Sequence, residues 1–195
     1  MKIPLQNLRE DAARVVIPND SYIQSYPHLL SFFSLRPIDE ATFVAAAHMV
    51  YGWMPTVLEF GDGSLPDAAH LLSRSLSSNA LLSKDELATL KEVINNSLVG
   101  TSKLLHFANP SSFPIWDSKV YFYIYGKASY HFLEKPEEYI KYISAVRSVT
   151  SDPAYNEIHQ SIQRQIASYS ITPIRSAELI MFLSGRAGRT IALSR

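Results

Sequence analysis

The chain has 195 residues, of which 47% are aliphatic or aromatic and 18% charged, with 18 Lys and Arg against 18 Asp and Glu and no cysteine. That composition belongs to a folded globular chain rather than a disordered one. Formal neutrality argues against a strong non-specific nucleic-acid binder, and the lack of cysteine excludes disulfides, thiolate catalysis and iron–sulfur clusters. The length suits one domain, 1–195, and the charge balance marks a subdivision near residue 100: residues 1–100 hold 7 basic and 11 acidic side chains, and residues 101–195 hold 11 and 7. An acidic first half and a basic second half permit one positive face. The longest apolar runs, such as 43–54, contain His48 and Gly52 and are too short for a membrane span. Polar residues from Gln6 to Asp11 directly after the first residues argue against a secretory signal, so a cytoplasmic location is expected.

Residues 5–16 read as a short polar helix. Asp20-Ser21 caps a second helix through Tyr22, Tyr26, Leu30 and Phe33, with Pro27 expected to kink or end it. A third starts near Asp39, where Phe43, Ala46, Ala47, Val50 and Tyr51 share one face, and Gly52 to Pro55 breaks it. Gly61-Asp62-Gly63 reads as a turn, because no Lys-Ser/Thr and no calcium-loop carboxylates follow it. Pro66 and Asp67 start another helix, and Ser83 with Glu86 forms a capping box ahead of a stripe at Leu87, Leu90, Ile94 and Leu98. Gly100 is expected to turn the chain, with Thr101 or Ser102 capping a helix that Asn109-Pro110 ends. Asp117 opens a helix that Gly126 closes, Pro136 opens another, Asp152-Pro153 a further one, and Thr172-Pro173 the last, stopped by Gly185. No segment alternates with period two, so the expected fold is all-α, a compact multi-helix domain of about eight to ten helices with a helix-hairpin-helix-like element.

Chemistry concentrates between Ser97 and Gly126, where a Val99-Gly100-Thr101 turn, Lys103, His106, Phe113, Trp116 and Asp117 crowd together. The order of Val-Gly-Thr, a Lys inside the next helix, and Pro-Ile-Trp-Asp ahead of a further helix resembles the core of the helix-hairpin-helix DNA glycosylases, the 8-oxoguanine branch most of all. The likeness spans 97–126. It departs from the family pattern in having Leu98 at the place of the first hairpin glycine, Ser102 inserted before the Lys, and a short gap from Lys103 to Asp117. The resemblance implies duplex DNA as partner and excision of a damaged or modified base, with no cofactor. It implies Lys103 as nucleophile, Asp117 as the carboxylate assisting base departure, and Val99, Gly100 and Thr101 as backbone contacts.

An aromatic surround suits a flipped base, which makes Trp116, Phe113 and His106 candidate substrate contacts. Each residue also has a plain structural reading: Asp117 as a helix N-cap, Lys103 as a solvated side chain, His106 as a packed histidine, and the aromatic run 121–125 as core. The six histidines show no metal spacing, so no metal is expected. Gly185 to Arg189 reads as a basic tail. The alternative function is a non-catalytic helical module that binds protein or nucleic acid in a bacterial defence or toxin–antitoxin setting.

Overall fold

The computed structural model describes residues 1–34, 37–77 and 81–191. Eleven helices and no strand occur among the described residues: α1 Leu5–Ala12, α2 Ser21–Ser34, α3 Glu40–Trp53, α4 Leu65–Ser75, α5 Lys84–Val93, α6 Leu98–Ala108, α7 Ser118–Tyr125, α8 Tyr130–Leu133, α9 Pro136–Thr150, α10 Tyr155–Gln163 and α11 Pro173–Arg186. The all-α expectation holds. No helix among the described residues is long and apolar enough to cross a membrane.

The chain divides into two compact units. Unit 2 is Asn19–Phe113, with α2 to α6, and unit 1 combines Met1–Pro18 with Pro114–Arg195, carrying α1 and α7 to α11. Residue 100, where the charge balance along the chain changes sign, lies inside α6. Counted by unit, the imbalance is the same size: unit 1 has 13 Lys and Arg against 9 Asp and Glu, and unit 2 has 5 against 9.

Capping chemistry sets the starts in unit 2. Thr42 N–H donates to Asp39 Oδ1 at 2.7 Å at the head of α3, and Ser64 caps α4 through Asp67 N–H at 3.3 Å. The Ser83–Glu86 capping box closes both ways at the head of α5. Pro27 does not end α2: the helix runs on to Ser34, past a residue that has no backbone N–H to donate.

The expected turn at Gly100 is corrected by the structure. The chain reverses at Asn95 and Asn96, at φ 54° and 46°, and Ser97 N–H closes the turn on Ile94 O at 3.1 Å. Two central residues at positive φ, both asparagine, fit a type I′ turn. Ser97 then caps α6, accepting from Gly100 N–H at 3.2 Å, so Gly100 sits in the first helical turn. Its role is proximity: a Cβ there would overlap the Tyr51 hydroxyl and come within 2.7 Å of Cζ. α3 and α6 can pack this closely only over a glycine.

Gly61 and Gly63 do similar work, since a Cβ at either would strike the end of α5. Their segment pairs with α5's exit through the isolated antiparallel bridge Phe60–Ile94. Asn95 fastens it: its Oδ1 accepts from Glu59 N–H at 2.8 Å and its Nδ2 donates to Val57 O at 3.0 Å.

In unit 1, Gly126 ends α7 at φ 67°, as expected. Gly185 does not stop α11. The helix continues to Arg186, and the left-handed residue is Gly188 at φ 79°. A Cβ at Gly185 would overlap Lys119 O, so this glycine lets α11 lie directly on the first turn of α7. α8, four residues long, has no counterpart in the helices read from sequence.

Candidate functional site

Asp117 stands at the N-cap of α7 with extended backbone, φ −151° and ψ 177°. Its Oδ1 accepts from Lys119 N–H at 2.8 Å and Val120 N–H at 3.0 Å. Among the described residues the second oxygen, Oδ2, accepts no hydrogen bond. The capping role is therefore real and uses one oxygen only. What results is a half-buried carboxylate with a fixed orientation and one open oxygen.

Unit 1 fixes the approach to Asp117 from several sides. Tyr139 O–H, on α9, donates to Pro114 O at 3.0 Å. The Trp116 indole N–H donates to Leu133 O at 2.9 Å, and its ring lies 4.8 Å from that of Tyr142. Gly185 supports the first turn of α7 from α11. These supports, Tyr139, Tyr142 and Gly185, escape a reading of the sequence, because they lie 22 or more residues from Asp117 and meet the loop only through folding. The Tyr142 hydroxyl is buried without a hydrogen-bond partner. Burial first, and then the nearby Glu178 carboxylate, the Tyr139 hydroxyl and the Asp117 carboxylate, push it well above the ordinary phenol value, with Arg175 opposing. Arg175 and Glu178 form a buried ion pair one turn apart on α11.

Trp116 and Phe113 are fully buried, and so is His106. These three candidate substrate contacts are divided between the two units. Trp116 belongs to the core of unit 1, whereas Phe113 and His106 belong to unit 2. His106 Nδ1 lies 2.7 Å from Phe113 O, and its Nε2 lies 2.8 Å from the Tyr26 hydroxyl. A carbonyl only accepts, so Nδ1 carries the proton, and in the neutral ring Nε2 is then the acceptor for the Tyr26 hydroxyl. Asn109 anchors the same loop, donating from Nδ2 to Ser75 O at 3.0 Å and Ser77 O at 2.9 Å. Both groups order the turn that follows α6.

Val99, Gly100 and Thr101 lie in the first turn of α6. Gly100 N–H is taken by Ser97 Oγ and Thr101 N–H by Ser97 O, at 3.2 and 3.0 Å. Thr101 Oγ1 also donates to Ser97 O at 2.8 Å. Two of these three residues thus spend their amides inside the protein. Lys103 is half-buried on α6, in unit 2, and Asp117 is in unit 1. The Gly185 to Arg189 stretch is not a loose tail: Gly185 and Arg186 are helical, Arg189 N–H donates to Ser184 O at 2.9 Å, and Arg189 Nε lies 2.9 Å from Asp11 Oδ1.

Among the described residues no three His, Cys, Asp or Glu side chains are grouped to hold a metal ion. The chain matches no protein-family model, no curated protein and no solved structure.

Proposed function

We propose that the chain is a DNA glycosylase-like protein that excises a damaged or modified base, with Asp117 as the carboxylate that meets the charge developing on the sugar. The observation that carries this reading is the division of labour at Asp117: Oδ1 is held by two amides of α7 and Oδ2 is open. As the bond from sugar to base stretches, its electron pair leaves with the base and positive charge grows on the sugar carbon. A carboxylate already locked in place stabilises that charge without reorganising, which is what electrostatic catalysis requires. Lys103 keeps the role that the resemblance gives it: a neutral amine forms the new bond to the sugar carbon and loses its proton, and the ring-opened sugar becomes a Schiff base.

The test is direct. The protein is incubated with DNA carrying oxidised, alkylated or phage-type modified bases, and released bases are identified by mass spectrometry. The expected result is release of one class of base by the wild type and none by Asp117→Asn. Equal release by the variant, or no release from any substrate by the wild type, overturns the reading. Borohydride reduction during turnover should join protein to DNA covalently, and Lys103→Gln should abolish that product while leaving Asp117 in place.

A second reading, a non-catalytic helical binding module, is favoured by one observation: Trp116, Phe113 and His106 are buried and offer no ring to a flipped base. Such a module need not bind duplex DNA at low salt, whereas the enzyme should bind it more tightly as salt is lowered.

A further inference from the structure

Exposed large aromatic side chains are scarce among the described residues: Tyr22, Phe60, Tyr130 and Phe132. Two of the four fall within three residues on α8, with Tyr130 77% and Phe132 42% exposed. Nothing in local folding demands this. α8 already contributes buried Leu133 to the core, and Ser129 caps it through Phe132 N–H at 3.5 Å. Tyr130 and Phe132 are surplus to that packing.

Two lysines and a histidine accompany the rings. Lys135 Nζ stands 4.7 Å from the centre of the Phe132 ring, Lys127 is exposed just before α8, and His131 is exposed between the two aromatics with its ring 5.4 Å from that of Phe132. Glu134 is the one carboxylate in the segment 127–135. The segment belongs to unit 1, which carries the basic excess of the chain.

Flat rings open to solvent beside ammonium groups are the chemistry that grips unpaired nucleic acid: bases stack on the rings and phosphates meet the amines. A paired base hides its faces inside the duplex and offers this surface only its backbone. An acidic protein partner would use the lysines but would leave Tyr130, with its broad exposed face, little to stack on.

We propose that α8 and its flanks are a stacking surface for single-stranded or locally unpaired DNA, in which Tyr130 and Phe132 take base faces and Lys127 and Lys135 take phosphates. The choice of DNA rests on the base-excision reading above; the stacking chemistry rests on α8 alone.

The test uses the full chain and a fluorescently labelled single-stranded DNA oligonucleotide, with its duplex as comparison, and reads binding by anisotropy across a salt series. The expected result is preference for the single strand and a loss of about tenfold or more in Tyr130→Ala/Phe132→Ala, since removal of one stacking ring alone typically costs about that. Lys127→Gln/Lys135→Gln should flatten the salt slope by about 0.7 for each phosphate that is no longer neutralised. All four side chains lie outside the core, so circular dichroism should show unchanged helicity in both variants. Single-strand affinity within twofold of wild type in the aromatic variant overturns the proposal. So does an absence of single-strand binding by the wild type, which would leave the surface to a protein partner. The two readings fail separately: base release is read from wild type on modified duplexes, so its absence leaves the single-strand binding result standing, and a failure of single-strand binding leaves base release to be judged by itself.

Discussion

The Tyr26 hydroxyl lies 2.8 Å from His106 Nε2, and both rings are buried. The contact links α2 to α6 and completes a chain that runs from Tyr26 O–H through the imidazole to Phe113 O. Tyr26→Phe deletes the hydroxyl that meets Nε2. It should cost about 0.5–1.5 kcal/mol, the net contribution of one hydrogen bond. Urea unfolding measures the loss, and nitrogen NMR of the wild type should show the Nδ1-protonated neutral ring. An unchanged midpoint would mean that the hydroxyl does not serve the histidine.

Gly100 separates a turn glycine from a proximity glycine. On helix propensity alone, Gly100→Ala should stabilise by about 1 kcal/mol. The Tyr51 side chain occupies the space, so the sign should reverse, to a loss of about 1–3 kcal/mol typical of overpacking. Tyr51→Phe removes the hydroxyl that the new methyl would strike, though Cζ stays within 2.7 Å of it. The double variant should therefore recover part of the loss, a coupling that a double-mutant cycle reads directly. Additive effects would show that the Tyr51 hydroxyl is not what excludes a side chain at Gly100.

The neighbouring asparagines should respond unequally to glycine. Asn95→Gly loses two side-chain hydrogen bonds, to Glu59 and Val57, and should cost about 1–2 kcal/mol. Asn96 is exposed at φ 46°, and Asn96→Gly exchanges relief at positive φ for a freer unfolded chain, so it should stay within about 0.5 kcal/mol of wild type. Thermal unfolding of the two variants side by side decides the point. Equal losses would show that backbone conformation, and not the clamp, dominates this turn.

How legible these features are depends on how local their causes are. The Ser83–Glu86 capping box, the Asp117 N-cap, the Gly126 stop and the Pro136 start are each settled within four residues by capping or by a fixed φ, and each appears in the sequence as in the structure. Gly100 and Gly185 are legible only as glycines. The residue is selected both for positive φ and for close approach, and the second cause sits far along the chain, at Tyr51 and Lys119. The reversal at Asn95-Asn96 is overshadowed by the nearby glycine, although two asparagines in succession carry the stronger turn chemistry. At the candidate site, residue type is readable but exposure is not: nothing in Pro-Ile-Trp-Asp tells that Trp116 faces Tyr142 in the core while Asp117 keeps one oxygen open.

His159 gives unit 1 a pH dependence of known sign. Its Nδ1 lies 3.0 Å from Ser176 Oγ, and partial burial holds the imidazole below its ordinary value of 6.5. The unfolded chain therefore takes up this proton first as pH falls. Stability from this group is fully present above pH 6.5 and is lost as pH drops toward the lower folded value. His159→Gln, which can keep a bond to Ser176, should show a smaller decline in urea midpoint than wild type between pH 7.5 and pH 5.5, a range set about the ordinary imidazole value. An equal decline would assign the acid sensitivity to other groups.

Asp117 is where structure and chemistry have to be told apart, because a lost cap and a lost catalyst both lower activity. Asn and Asp are near-equal N-caps, so Asp117→Asn should keep stability within about 0.5 kcal/mol, whereas Asp117→Ala removes the cap and should cost about 1 kcal/mol. If the open Oδ2 matters as a charge, base release should disappear in both variants although only one of them is destabilised. If activity instead followed stability, with Asp117→Asn active and Asp117→Ala impaired, Asp117 would be a cap alone. Measuring melting and base release on the same preparations of both variants makes this comparison, since the asparagine preserves Oδ1 as an acceptor for Lys119 and Val120 and changes only the charge that the sugar would meet.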